Sequence, residues 1–179
     1  IEFNPKKITG IDISEVSISK AKEKFSNSNS KVELLVDNCE RTSFNNNKFD
    51  IVYGLGILHH LQFSKCIKEI SRILKTDGKL LFIEPLGTNP LINFYRFLTP
   101  KSRSKDEHPL VLKDFEIIKS NFKSVNIKYY GFLTLIFFLF YSSSNSKIFK
   151  LLVKMDQILF KFKIFKYFAW SVLITAKKN

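Results

Sequence analysis

Apolar and polar positions come in alternating blocks through the first half of the chain. Lys7–Ile13 (KITGIDI), Val32–Val36 (VELLV) and Phe49–Tyr53 (FDIVY) are short aliphatic or β-branched runs bounded by polar residues, which is the pattern of strands. Ser14 is a plausible N-cap for a helix running through Phe25, and SNSNS at Ser26–Ser30 reads as a loop. Residues 62–74 place Phe63, Ile67, Ile70 and Leu74 on one helical face. Lys75–Gly78 then turns into a fourth strand, Lys79–Glu84. The Phe49–Tyr53 run is apolar beyond Asp50 without alternation, so a parallel strand covered on both faces is expected.

This strand–helix alternation predicts an α/β fold built on an open, doubly wound sheet, with ligands at the carboxyl ends of its strands. Asp12, Asp37, Gly54 and Glu84 all fall at such ends. After Pro85 the pattern changes. Residues 86–110 are a Pro- and Asn-containing excursion in which Leu91, Ile92, Phe94, Tyr95, Phe97 and Leu98 suggest a short amphipathic helix. An insertion of this length between sheet elements usually covers or shapes a site. A helix near Leu112–Phe122 and a strand near Val125–Tyr130 follow. Residues 132–166 read as a basic and apolar helical insertion. Its apolar run Phe132–Tyr141 falls short of the ~20 residues that span a bilayer. Over residues 147–162, Lys147, Lys150, Lys154 and Lys161 share one helical face, with Phe149, Leu152, Val153, Ile158 and Phe160 elsewhere. Ala169–Ala176 makes a final strand.

The chain's 179 residues suffice for one domain with a full core and are too few for two ordinary ones. A hydrophobic share of 45% and a charged share of 25% exclude wholesale disorder. Charge is what changes the picture. Residues 1–90 carry 13 Lys+Arg against 11 Asp+Glu, whereas residues 91–179 carry 16 against 5, a net of +11. Such asymmetry points to an anionic partner for the second half: a phosphorylated substrate, a membrane surface or nucleic acid. A Lys-, Asn-, Ile- and Phe-rich composition also produces it with no partner at all. No aromatic RNA-recognition motif is present, so nucleic acid is not expected. Cys39 and Cys66 form no CxxC and fit a reducing cytoplasm, no metal site is expected, and no signal peptide is visible. The expected location is cytoplasmic, with peripheral membrane association through the basic half.

Four elements carry candidate chemistry. Asp12, just past a strand, can accept both hydroxyls of a ribose or can cap the following helix; on the residues alone the two readings are equal. Asp37 can accept from an exocyclic amine, with the Asn38 N–H donating to a purine ring nitrogen, or can be a turn residue. Gly54 and Gly56 allow a backbone to approach a ligand closely. His59 and His60 then start a helix and offer an imidazole base or substrate contact. Two histidines in tandem cannot both face the core.

The segments GIDISEVSISKAKEKF, LLVDN, FDIVYGLGILHHL and ILKTDGKLLFIEP, in this order and spacing, resemble class I S-adenosylmethionine-dependent methyltransferases. The nearest branch is the small-molecule one that includes quinone-biosynthesis methylases. The resemblance is close over Lys7–Pro85 and looser beyond. It implies a Rossmann-like sheet and S-adenosylmethionine as cofactor. Asp12 would bind the ribose, Ile13 would pack on the adenine, and Asp37 with the Asn38 backbone would read the adenine edge. Gly54 and Leu55 would line the methionine end, with His59 and His60 near the methyl acceptor as catalytic candidates. The family's first strand lies between those ending at Asp12 and Gly54, and a glycine-rich loop follows it. Neither is found here, so a single domain, 1–179, incomplete at its N-terminus, is expected.

The 86–110 excursion resembles an acceptor-side insertion of a bacterial subset of these enzymes. Glu84, Arg96, Arg103 and His108 are the acceptor-side candidates. The arginines could hold a phosphate or carboxylate, or could pair with Asp106 and Glu107 at the surface. The function implied is methyl transfer to a small-molecule or lipid-like acceptor. Two alternatives remain open at this point. A nicotinamide-dependent oxidoreductase would also use Asp12 on a ribose, and would need GxGxxG upstream. A basic membrane-associating module would have no activity.

Overall fold

The computed structural model describes residues 5–25, 31–100, 107–138 and 146–179. The Ser26–Ser30 loop, Arg103, Asp106 and the end of the apolar run at 139–141 lie outside the described residues. The chain divides into two compact units, Ile1–Asn45 and Asn46–Asn179.

The first unit is a strand–helix–strand turn of chain: β1 (Ile8–Asp12), α1 (Glu15–Phe25) and β2 (Val32–Val36). The strands pair in parallel, from Ile8 opposite Val32 to Asp12 opposite Val36. A parallel pair needs a crossover, and α1 supplies it. The Ser14 hydroxyl accepts the Ser17 N–H (3.2 Å) and its carbonyl accepts that of Ile18 (3.1 Å), so Ser14 caps α1 as its residue type suggests. Ile18 is the helix's buried side chain.

The second unit holds a four-stranded sheet in the order β3 (Phe49–Leu55), β4 (Leu74–Pro85), β6 (Ser171–Lys177), β5 (Lys123–Tyr130). β3 and β4 are parallel, and β6 runs antiparallel to both its neighbours. The crossover between β3 and β4 is α2 (Phe63–Ile73), which buries Phe63, Cys66, Ile67, Ile70 and Ile73. These positions recur at three- and four-residue spacing, and Leu74, expected on the helix, instead opens β4. The predicted Lys75–Gly78 turn survives as a bulge. Phe49 pairs with Leu74 and Ile51 with Lys79, and Asp77 takes a positive φ of 59° in the excess chain.

One face of this sheet carries the core. Leu80 and Phe82 of β4 alternate inward beside Ile174 and Ala176 of β6, under α2 and α4 (Asp114–Asn121) with its buried Phe115 and Ile118. The other face departs from the expectation of a strand covered twice. Tyr53 is 68% and Leu55 76% exposed, with Leu81 and Ile83 also exposed beside them. Covering the second face of a strand depends on what packs there, which an apolar run by itself does not specify.

Three further helices follow. α3 (Pro90–Leu98) begins with Asn89, whose side chain accepts the N–H groups of Leu91 and Ile92, and with Pro90 in the first turn. α5 (Leu133–Phe138) and α6 (Lys147–Leu159) pack together. Asp156 of α6 is buried because its carboxylate accepts the N–H groups of Phe132, Leu133 and Thr134 and the Thr134 hydroxyl, closing the start of α5. No helix among the described residues is long and apolar enough to cross a membrane.

Candidate functional site

In the first unit the parallel pairing brings Asp12, Ile13, Asp37 and Asn38 to one strand-end rim, where the Asp37 N–H donates to the Asp12 carbonyl at 3.1 Å. The Asp12 side chain is exposed. Its Oδ1 accepts the Ser14 N–H at 2.8 Å, while Oδ2 makes no bond within the described residues. The two readings of Asp12 are therefore compatible, because one oxygen steadies the helix start and the other is open to a hydroxyl. Ile13 projects an exposed apolar side chain beside it.

Asp37 is committed differently. Its Oδ2 accepts both the N–H and the hydroxyl of Ser43 (2.9 Å each), and its Oδ1 accepts the Asn38 N–H at 2.8 Å. The Asn38 side chain in turn accepts the Glu40 N–H at 2.9 Å. Both members of the expected adenine-edge pair also take part in closing their own loop. The rim thus presents an exposed carboxylate at Asp12 and an exposed apolar side chain at Ile13.

In the second unit β3 ends at Gly54 and Leu55. Gly54 is required by packing, since a Cβ there would run into the Phe82 ring and the Ile57 side chain. Gly56 takes φ +59°, which a side-chain-bearing residue rarely adopts, and its N–H donates to the Ile83 carbonyl at 2.8 Å. The chain then makes a single 3-10 turn, Leu58–His60, and α2 starts only at Phe63. His59 and His60 therefore end a single 3-10 turn and do not open α2 as expected; His59 is buried and His60 exposed.

Glu84 bonds to the buried ring. It leaves β4 on the core face with only 1% of its surface exposed. Its Oε1 accepts the N–H groups of Ile57 and Leu58 (2.9 Å each), and its Oε2 lies 2.8 Å from His59 Nδ1. A buried carboxylate is costly unless its oxygens are satisfied, and three donors satisfy it here. In the tautomer in which Nδ1 donates to Glu84, Nε2 is left as the acceptor nitrogen of the ring. That nitrogen bonds to nothing among the described residues, and the His59 side chain keeps 10% of its surface exposed. His60 is exposed, its ring centroid 4.0 Å from that of His59.

The acceptor-side candidates are not assembled as a set. Glu84 lies beneath the turn and holds His59, with no surface left for an acceptor. His108 joins the rim through its backbone, its N–H donating to the His59 carbonyl at 2.7 Å, while its exposed ring sits 3.9 Å from Asp114 Oδ2. Arg96 is half-buried on α3, with Nη1 3.5 Å from Asn93 Oδ1. Among the described residues no group of three His, Cys, Asp or Glu side chains is placed to hold a metal. Two clefts, of about 270 and 280 Å³, lie at the β4 bulge and beside β5 and α6, and neither is lined by Glu84 or the histidines.

Residues 2–82 match the family model described as a methyltransferase domain. They form part of a class I S-adenosylmethionine-dependent methyltransferase domain. A demethylmenaquinone methyltransferase from Bacteroides fragilis is 33% identical over 86 residues, covering 46% of this chain and 35% of the relative. A sterol 4-C-methyltransferase from Caenorhabditis elegans is 29% identical over 86 residues, covering 46% and 26%. The chain thus spans about a third of the length of the curated relatives it matches. Among solved structures, Haemonchus contortus phosphoethanolamine N-methyltransferase 2, in complex with phosphomonomethylethanolamine and S-adenosylhomocysteine, aligns with a TM-score of 0.67. It is 18% identical, with 97% of this chain and 44% of that one covered. The likeness is one of fold, Rossmann-like and α/β. Within the methyltransferase domain, β1–β2 and β3–β4 are the strand ends on which the sequence motifs sit. The family model and the relatives named here are methyltransferases and not nicotinamide-dependent oxidoreductases.

Proposed function

We propose that the protein transfers a methyl group from S-adenosylmethionine to a small-molecule or lipid-like acceptor. The observation that carries the acceptor half is the buried Glu84–His59 pair, which fixes one histidine tautomer at a strand end. The cofactor, when bound, supplies an electrophilic methyl group on a sulfonium. Asp12 holds the ribose through its open carboxylate oxygen, Ile13 covers the adenine, and Gly54 and Leu55 border the methionine end. His59 Nε2 receives the acceptor's proton when the acceptor is too weakly acidic to lose it unaided. The exposed His60 ring contacts the acceptor and leaves His59 as the base. Arg96 and Arg103 are the candidate cations for an acidic acceptor. The curated relatives include a quinone and a sterol methylase by name, which supports a lipid-like acceptor and, with the basic second half, a cytoplasmic protein that works at a membrane surface.

Isothermal titration of S-adenosylmethionine into the wild-type chain and Asp12→Ala tests the cofactor half. Removing a hydrogen-bonding carboxylate is expected to weaken binding roughly tenfold to a hundredfold. Unchanged affinity in the variant overturns the role of Asp12, and no binding by the wild type overturns the reading itself.

A further inference from the structure

Helix α6 has three faces. Phe149, Leu152, Val153, Asp156 and Leu159 turn toward the protein, and Asp156 is fully enclosed. Ile148, Leu151, Met155 and Ile158 form a separate apolar stripe, 42–58% exposed, at three- and four-residue spacing along the outside. Lys147, Lys150, Lys154 and Lys161 flank that stripe, all exposed, and none makes an ion pair among the described residues. Folding has therefore used one face of α6 and left a second apolar face open beside a row of like charges.

The neighbouring elements repeat the pattern. The 3-10 turn Lys163–Phe168 that follows α6 exposes Ile164 and Tyr167, with Phe162 exposed just before it. α3 lies against this turn: the Thr88 hydroxyl donates to the Tyr167 carbonyl at 3.2 Å, and the Asn89 side-chain amide donates to that of Phe168 at 2.5 Å. α3 buries none of its residues. Ile92 and Arg96 are its least exposed side chains, while Leu91, Phe94, Tyr95, Phe97 and Leu98 face outward, Phe97 at 79%. An α3 turned apolar side out is the reverse of an ordinary surface helix.

We propose that α6, the turn after it and α3 form a docking surface for an anionic phospholipid bilayer, with the apolar stripe entering the headgroup–acyl boundary and the lysines on anionic headgroups. Charge complementarity selects this occupant. Residues 91–179 carry a net +11, and the lysines border the exposed stripe. A second copy pairing on the same stripe would bring two lysine-rich patches of the same sign to one interface. Apolar and aromatic residues beside lysines, on helices too short to span, are the make-up of an interfacial surface. The proposal deepens the membrane-surface part of the proposed function and does not depend on cofactor binding.

Co-sedimentation of the full chain with phosphatidylcholine–phosphatidylglycerol vesicles, against pure phosphatidylcholine vesicles and without S-adenosylmethionine, tests it. The chain is expected to partition onto the phosphatidylglycerol vesicles and to be released as salt rises. Lys147→Glu with Lys150→Glu and Lys154→Glu should weaken partition by about a hundredfold or more, at roughly fivefold per lysine. Leu151→Gln with Met155→Gln should weaken it at every salt concentration, and unchanged circular dichroism shows both variants folded. No partition by the wild type overturns the proposal. So does partition that neither variant alters, or a dimer that Leu151→Gln dissociates while vesicles are ignored. Loss of S-adenosylmethionine binding with partition intact would overturn the catalytic reading alone.

Discussion

Glu84 Oε2 lies 2.8 Å from His59 Nδ1, joining the end of β4 to a turn 25 residues earlier in the chain. The other oxygen of the same carboxylate takes the two N–H groups that open that turn. Backbone geometry and imidazole tautomer are thus set by one buried group. Glu84→Gln replaces an acceptor with a donor at one position and removes the charge. We expect kcat to fall by about a hundredfold or more, within the range lost with a general base. Affinity for S-adenosylmethionine should be unchanged. Stability should fall by about 1–3 kcal/mol in urea titration. A variant with wild-type kcat would separate His59 from the chemistry.

Asp37 and Ser43 form a closed loop in which both oxygens of the carboxylate accept hydrogen bonds. Ser43→Ala removes one of the hydrogen bonds and should cost about 1 kcal/mol in thermal or urea unfolding. Asp37→Ala should cost more. If Asp37 serves the loop and not the cofactor, titration with S-adenosylmethionine will give the same affinity for Ser43→Ala as for wild type. A loss of affinity without a loss of stability would return Asp37 to the cofactor.

Asp156 is a carboxylate buried among apolar side chains, with four donors from Phe132 to Thr134. Asp156→Ala orphans those donors and should destabilise the fold by about 2–4 kcal/mol, the sum of a lost cap and unsatisfied N–H groups. Amide exchange at Leu133 and Thr134 should accelerate in the variant. A cost below about 0.5 kcal/mol, the range of an ordinary surface change, would contradict the buried cap.

Ile67 is wholly buried under the sheet, whereas Leu151 stands on the open stripe of α6. Ile67→Ala is expected to cost about 2–5 kcal/mol, as large-to-small changes in a packed core do. Leu151→Ala should change stability by less than about 0.5 kcal/mol. Equal costs at the two sites would mean that α6 is covered in solution.

The elements of this fold were legible where their cause is local. Ser14 announces α1, and the spacing of Phe63, Ile67 and Ile70 announces the buried face of α2. What escaped depends on partners distant in sequence. Glu84 reads as an acceptor contact because it ends a strand, and only the fold shows the turn above it. Asp37 reads as a purine contact, and only the fold shows that Ser43 also holds its carboxylate. Gly54 suggests room for a ligand, but the Phe82 ring explains it. The exposed faces of β3 and β4 escaped for the converse reason, since an apolar run records that a strand is hydrophobic and not what lies against it. A signal was available for Asp156, the single acid of α6, set within its apolar positions.

Because Glu84 supplies the bonds that shape residues 57–59, the histidine turn cannot settle when it first leaves the ribosome. It waits for α2 to form and for β4 to dock, 27 residues later than Ile57. The Glu84–His59 bond can form only when the second parallel strand is in place. A lesion anywhere in α2 or β4 can therefore displace the His59 ring without touching it.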